Sequence, residues 1–234
     1  MKSTGSKVIV ALDYDCEVDV MTIVKKLKPD DCKLKVGLEL FSSVGPKIIH
    51  ILQDKGFDVF VDLKFHDIPT TVAKACRAIA NMKVWMLNVH TLGGEEMLRA
   101  ARTAVDEANH TPLLIGVTIL TSHDRSSINK IGLSGNVSEH VSQLARINEN
   151  CLLDGVVCSP VDLEILKGKL NRKTVFITPG IRLETDDRGD QKRILNPVEA
   201  ITKGASYIVV GRPITQNANP YQTLQSINKM IKSS

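Results

Sequence analysis

The chain has 234 residues, 43% of them hydrophobic and 24% charged, with a formal net charge of +4. That is the composition of a globular protein long enough to bury a core without disulfides or a structural metal. The small positive balance is spread along the sequence, which speaks against nucleic acid as a partner and only weakly for an anionic small molecule.

The polar start, Met1 to Lys7, leads into a short apolar run that soon meets Asp13, and so reads as neither a signal peptide nor a spanning helix. No later apolar stretch approaches membrane length. Runs rich in Val, Ile and Leu then recur and predict strands over 7–13, 33–40, 59–65, 86–92, 113–120, 155–159, 174–180 and 207–214. Amphipathic segments between them predict helices over 18–27, 46–55, 70–81, 95–108, 138–150 and 161–170. In the fourth of these, Met97, Ala100, Ala101 and Ala104 recur at helical spacing. Pro69, Pro160 and Pro197 stand where helices should begin, which suits their fixed φ and missing N–H.

Apolar strands alternating with helices, and no linker, imply parallel strands covered by helices, in one domain spanning 1–234. An open doubly wound sheet competes, but eight units in this length fit a closed (β/α)8 TIM barrel better. The five cysteines are odd in number and contain no C-x-x-C pair, so they suggest reduced thiols in the cytoplasm, not a disulfide framework or a zinc ribbon.

Barrel active sites form at the C-terminal strand ends, so the polar residues there are the candidates. The first strand ends in Asp13, the second carries Lys35, and the third reads Val-Phe-Val-Asp62-Leu-Lys64-Phe-His66-Asp67-Ile-Pro. Strand alternation puts Asp62 and Lys64 on one face, with Asp13 and Lys35 on neighbouring strands as partners for ions taken out of water. A buried structural ion pair is the alternative, but charges at three successive strand ends favour a site. His66 falls on the opposite strand face, which suggests packing or a supporting hydrogen bond. His90 ends the fourth strand, where support and function are both open.

A second cluster follows strands seven and eight: Thr178-Pro-Gly180-Ile-Arg182, and Val-Gly211-Arg212-Pro-Ile. Phosphate sites in this fold often use those loops. Glycine lets backbone N–H groups approach an oxyanion, and arginine offers a planar fork. The long polar run from Arg182 to Lys192, containing Gln191, has no helical period and is expected to be a mobile lid or a solvated loop. Dinucleotide, Walker and His-Glu-x-x-His motifs are absent and the histidines show no compact ligand spacing, so nothing calls for a cofactor or a metal, although carboxylates could bind one.

The block Asp62-Leu-Lys64-Phe-His66-Asp67-Ile-Pro-Thr-Thr71 resembles the signature of orotidine 5′-monophosphate decarboxylases. The resemblance continues in family order through Val-Ala-Leu-Asp13, Lys35-Val-Gly-Leu-Glu, Asn-Val-His90, Leu-Thr121-Ser122, Pro-Gly-Ile-Arg182, Gly-Asp-Gln191 and Val-Gly211-Arg212. It implies cofactor-free decarboxylation to uridine 5′-monophosphate, the last step of its de novo synthesis. Lys64 would protonate C6 of the pyrimidine as carbon dioxide leaves. Asp62 and Asp67 would flank the substrate carboxylate, with Asp67 reaching over from the second subunit of a homodimer. Lys35 would complete an alternating Lys-Asp-Lys-Asp array. Asp13 and Thr71 would bind ribose hydroxyls, with Thr121 and Ser122 at the ribose and base. Arg182, Gln191, Gly211 and Arg212 would hold phosphate.

Two rivals remain. A related sugar-phosphate decarboxylase, such as a 3-keto-gulonate 6-phosphate decarboxylase, resembles this chain in Asp-x-Lys-x-x-Asp but uses magnesium and an enediolate. It lacks a match to Lys35 and Gln191, and magnesium dependence would reveal it. A barrel that binds nucleotide phosphate without turnover is the other, and a turnover assay separates it.

Overall fold

The Val- and Ile-rich runs become strands because β-branched side chains pack well on a pleated surface buried on both faces. A computed structural model describes residues 5–182 and 195–233. Its strands are β1 (Val8–Leu12), β2 (Lys33–Gly37), β3 (Val59–Phe65), β4 (Met86–His90), β5 (Leu113–Val117), β6 (Gly155–Val157), β7 (Val175–Thr178) and β8 (Tyr207–Val210). They close into a barrel in chain order, every neighbour parallel and β8 paired back to β1. The doubly wound alternative is thereby excluded.

Along β1 the two faces separate cleanly. Ile9 and Ala11 point into the barrel with Phe60, Met86, Ile115, Ile177 and Val209, while Val8, Val10 and Leu12 pack outward beneath the helices. Tight helix-on-strand contact also demands glycine at one place. A Cβ on Gly116 of β5 would lie 2.1 Å from the amide of Asn148, on the helix Val137–Asn150.

Most of the predicted strands run past the observed ones at their C-terminal ends. Leu38 to Leu40 open a helix (Leu38–Val44), Thr91 starts a 3-10 turn (Thr91–Gly93), and Ile214 lies in the short helix Arg212–Thr215. Leu40 and Ile214 are fully buried without being in a ladder, so apolar character alone overextends the strands. The predicted helix over 161–170 divides into a 3-10 turn (Pro160–Asp162) and the helix Leu163–Lys167. Pro69, Pro160 and Pro197 each occupy the first position of their element, as expected.

The floor of the barrel is sealed by a charged residue. Lys33 opens β2 with no solvent exposure, its Nζ 2.9 Å from Asp58 Oδ2. The ammonium lies 4.6 Å from the Trp85 ring centre and 5.9 Å from that of Tyr207. Those rings meet edge to face at 4.9 Å, so the cation sits against two negative π faces. Removing one partner of such a pair is far worse than replacing both. Asp58→Ala should cost roughly 3–5 kcal/mol in urea unfolding, whereas the double change Lys33→Met, Asp58→Leu should recover most of it. Equal losses for the single and double variants would show that the pair itself, and not an uncompensated charge, sets the stability of the floor.

Candidate active site

With the floor closed, the barrel's open end holds a cavity of about 850 Å3 at the C-terminal strand ends. Ala11, Phe60, Ile177 and Val209 form its apolar base. Above them runs a string of alternating charge. Lys35 Nζ lies 3.3 Å from Asp13 Oδ1 and 3.3 Å from Asp62 Oδ2, and Asp62 Oδ1 lies 2.8 Å from Lys64 Nζ. The four expected residues on strands one to three are therefore brought together in one wall.

Burial sets how these groups ionise. The Lys35 side chain is 11% exposed, and burial alone would discharge it; the carboxylates of Asp62 and Asp13 outweigh burial and raise its pKa. Burial likewise opposes the charge on Asp62, but the Lys35 and Lys64 ammoniums, with hydrogen bonds from Lys64 and Asn88, hold its carboxyl below the usual range. Both ions thus stay charged in a largely dry wall. Space for the Lys35 head depends on Gly37, where a Cβ would stand 3.0 Å from Nζ.

Asp62 and Lys64 do reach the same cavity, but simple alternation is not what takes them there. Between Val61↔Leu87 and Phe65↔Val89, β3 advances four residues while β4 advances two. Lys64 has φ of +52°, a left-handed backbone that L residues enter at a cost of about 1–3 kcal/mol. Asn88 of β4, wholly buried, fills the broken ladder. Its Oδ1 accepts the Lys64 backbone N–H at 2.8 Å, and its Nδ2 donates to Asp62 Oδ1 at 2.7 Å. Asn88 was not among the expected site residues; the signal for it was an amide inside the apolar run Met86–His90.

The opposite wall comes from the later strands. Gly180 and Arg182 after β7, and Gly211 and Arg212 after β8, line the cavity, as do Thr121 and Ser122 after β5. Tyr14 also lines it and donates its hydroxyl to Thr215 O at 3.3 Å, tying the loop after β1 to that after β8. Neither Tyr14 nor Thr215 was anticipated. The Arg182 N–H donates to Leu195 O at 3.2 Å within an isolated bridge between Ile181 and Leu195. Arg182 and Leu195, the described residues on either side of 183–194, are therefore neighbours. Gln191 and the expected lid lie outside the described residues.

Two expected residues stand apart from their own chain's cavity. Asp67 is exposed on the turn after β3, where its Oδ1 accepts the Ile68 N–H at 2.6 Å, and Thr71 is exposed in the first turn of the helix Pro69–Asn81. Neither lines the pocket. Leu38, Ile68 and Leu92, which follow the three adjacent strands β2, β3 and β4, are also exposed. Among the described residues the one group with metal-ligand spacing, Asp15, Cys16 and Asp19, lies outside the cavity as well.

Residues 6–227 match the model of the orotidine 5′-phosphate decarboxylase / HUMPS family. The chain is 51% identical to the orotidine 5′-phosphate decarboxylase of Aliivibrio fischeri (strain MJ11) over 228 residues, 97% of each chain. It is 48% identical to that of Enterobacter sp. (strain 638), covering 97% of this chain and 93% of the relative. Among solved structures, the orotidine 5′-phosphate decarboxylase of Lactobacillus acidophilus superposes with a TM-score of 0.85 at 36% identity, over 96% of this chain and 98% of that one.

His90 lies beside this wall without lining the cavity; its ring centre is 5.6 Å from that of His66, which is exposed. Burial first, then His66 and Lys64, push the His90 imidazole down to about 4 against the pull of Asp62. Between about pH 6.5 and about 4 the unfolded chain binds a proton here that the folded chain refuses, so stability falls as pH drops through that window. His90→Asn should remove this part of the acid sensitivity. Urea midpoints at neutral pH and near pH 4 should fall further for wild type than for the variant, and parallel losses would refute a depressed His90.

Proposed function

Because the chain belongs to the orotidine 5′-phosphate decarboxylase / HUMPS family, we propose that it converts orotidine 5′-monophosphate to uridine 5′-monophosphate and carbon dioxide, using no metal or cofactor. The observation that carries this reading is the Asp13–Lys35–Asp62–Lys64 string facing an arginine- and glycine-bearing wall across one cavity. Arg182, Gln191, Gly211 and Arg212 take the phosphate, Asp13 and Thr71 the ribose hydroxyls, and Thr121 and Ser122 the ribose and base.

The chemistry follows from the charges. Breaking the C6–carboxylate bond leaves its electron pair at C6, in the plane of the ring and outside its π system. Lys64 stabilises that pair as it forms and then gives it a proton from Nζ, to be reprotonated from solvent. A unit charge at about 4 Å with an effective dielectric near 20 contributes roughly 4 kcal/mol, about a thousandfold in rate if it acts only in the transition state. The remainder comes from orientation and from phosphate binding that favours the closed complex. Asp62, fixed as an anion, stands where the substrate carboxylate must come and favours its departure.

The magnesium-using branch of the family is the second reading. Against it, the Lys35 ammonium already lies between the Asp13 and Asp62 carboxylates, where a divalent ion would need to displace it. Absorbance assays of EDTA-treated protein should therefore show full turnover of orotidine 5′-monophosphate. Activity lost on chelation and restored by magnesium would move the chain to that branch.

The proposed enzyme is a cytoplasmic homodimer that shares its active sites and needs neither membrane nor nucleic acid. All five cysteines are free and four of them are buried, an arrangement that suits a reducing compartment. Asp67, turned away from its own cavity, serves the neighbour's, as does Thr71. Lys64→Ala and Asp67→Asn homodimers should each be nearly inactive. Refolded together in equal amounts, half the dimers are mixed, and each mixed dimer carries one intact site, so about a quarter of wild-type activity should return. Mixed dimers that form but stay inactive would place Asp67 within its own chain's chemistry.

A further inference from the structure

We infer that Asn88 is a positioning residue for the decarboxylation: its one side-chain amide holds both the left-handed backbone of Lys64 and the carboxylate of Asp62. The inference rests on the functional reading above, since it concerns how the proposed proton donor is aimed. It starts from the fault in the β3–β4 ladder, where four residues of one strand face two of the other. Such a bulge leaves backbone groups without ladder partners, and a buried N–H with no acceptor is costly. The Lys64 N–H is one of these, and Asn88 Oδ1 accepts it at 2.8 Å.

Lys64 also has φ of +52°, which a lysine keeps only where its surroundings hold it. The other end of the same amide donates to Asp62 Oδ1 at 2.7 Å, the oxygen that Lys64 Nζ approaches to 2.8 Å. One planar group therefore fixes where the lysine's main chain turns and where the carboxylate that meets its ammonium points. Because Asn88 has no exposure to solvent and does not line the cavity, it touches neither substrate nor phosphate wall. Its removal should change the aim of Lys64 and leave ligand binding at the arginine side alone.

A space-filling role makes a different prediction, and two variants separate the roles. Asn88→Ala removes the amide and opens a gap; Asn88→Leu removes the amide and fills the gap. For a positioning role both should lower kcat by roughly 10- to 100-fold, the worth of a hydrogen bond to a charged group. KM for orotidine 5′-monophosphate and the Kd of uridine 5′-monophosphate should stay at wild-type values. Wild-type kcat in Asn88→Leu, or a loss confined to KM, overturns the assignment.

A measurement on the wild type does not depend on either variant folding. In 15N,13C-labelled protein the Lys64 amide should exchange slowly with solvent, and its Cα and Cβ shifts should report the left-handed region. Rapid exchange or shifts of an ordinary extended strand overturn the inference. Wild type that leaves orotidine 5′-monophosphate unconsumed overturns the functional reading, and this inference with it. Wild-type turnover with unchanged kcat in both variants overturns the Asn88 assignment alone.

Discussion

The Lys35 ammonium lies between two carboxylates, 3.3 Å from each, in a wall where it has little water to fall back on. An ion in such surroundings either loses its charge or is met by opposite charge, and Asp62 and Asp13 meet it. Asp62 then needs its own compensation, which Lys64 completes from the far side. Lys35 and Asp62 are thus each a condition for the other's ionisation, with Asp13 and Lys64 supplying the opposite charges at the two ends of the string. Gly37 beside the Lys35 head and the irregular end of β3 can be read as what the backbone concedes to that requirement.

The barrel's two ends use the same chemistry for opposite purposes. At the floor, Lys33 and Asp58 are closed in beneath Trp85 and Tyr207, so their charge is spent on each other and on aromatic faces. At the mouth, Lys64 is 27% exposed and the cavity continues from it to Arg182 and Arg212. A pair sealed on all sides holds a fold together. A chain of pairs with an end open to a cavity can act on what enters it, and direction along the barrel axis decides which of the two a lysine–aspartate pair becomes.

Much of this was legible in the sequence, and the reasons differ by residue. Eight apolar runs at helix-length spacing made the barrel readable, since parallel strands buried on both faces leave little else. Strand ends were misread where Leu40 and Ile214 are buried by helices and not by pairing, which composition does not distinguish. Asp13, Lys35, Asp62 and Lys64 were legible because a charge in an apolar strand needs a reason. Asn88 escaped notice because its role depends on a break in register, and no single-strand pattern records how a neighbour is aligned. His90 stayed ambiguous for a related reason: only the structure shows its ring facing His66 instead of the cavity.

The string is also unequal, and the inequality bears on the proposed chemistry. Among the described residues, Lys35 has two carboxylate partners, whereas Lys64 has one, Asp62, although both ammoniums belong to the same wall. Lys35 is the more enclosed of the two, its side chain 11% exposed against 27% for Lys64, so Lys64 is the better placed to meet substrate. In the proposed dimer the neighbour's Asp67 adds a second carboxylate beside Lys64, and places it next to the carboxylate of the bound substrate. Repulsion between those two anions ends when carbon dioxide leaves, so the contact favours the transition state over the ground state, as differential binding requires. On this reading the exposed turn that carries Asp67 away from its own barrel is part of the mechanism, because a site completed by a second chain gains a negative charge that its own strands do not supply.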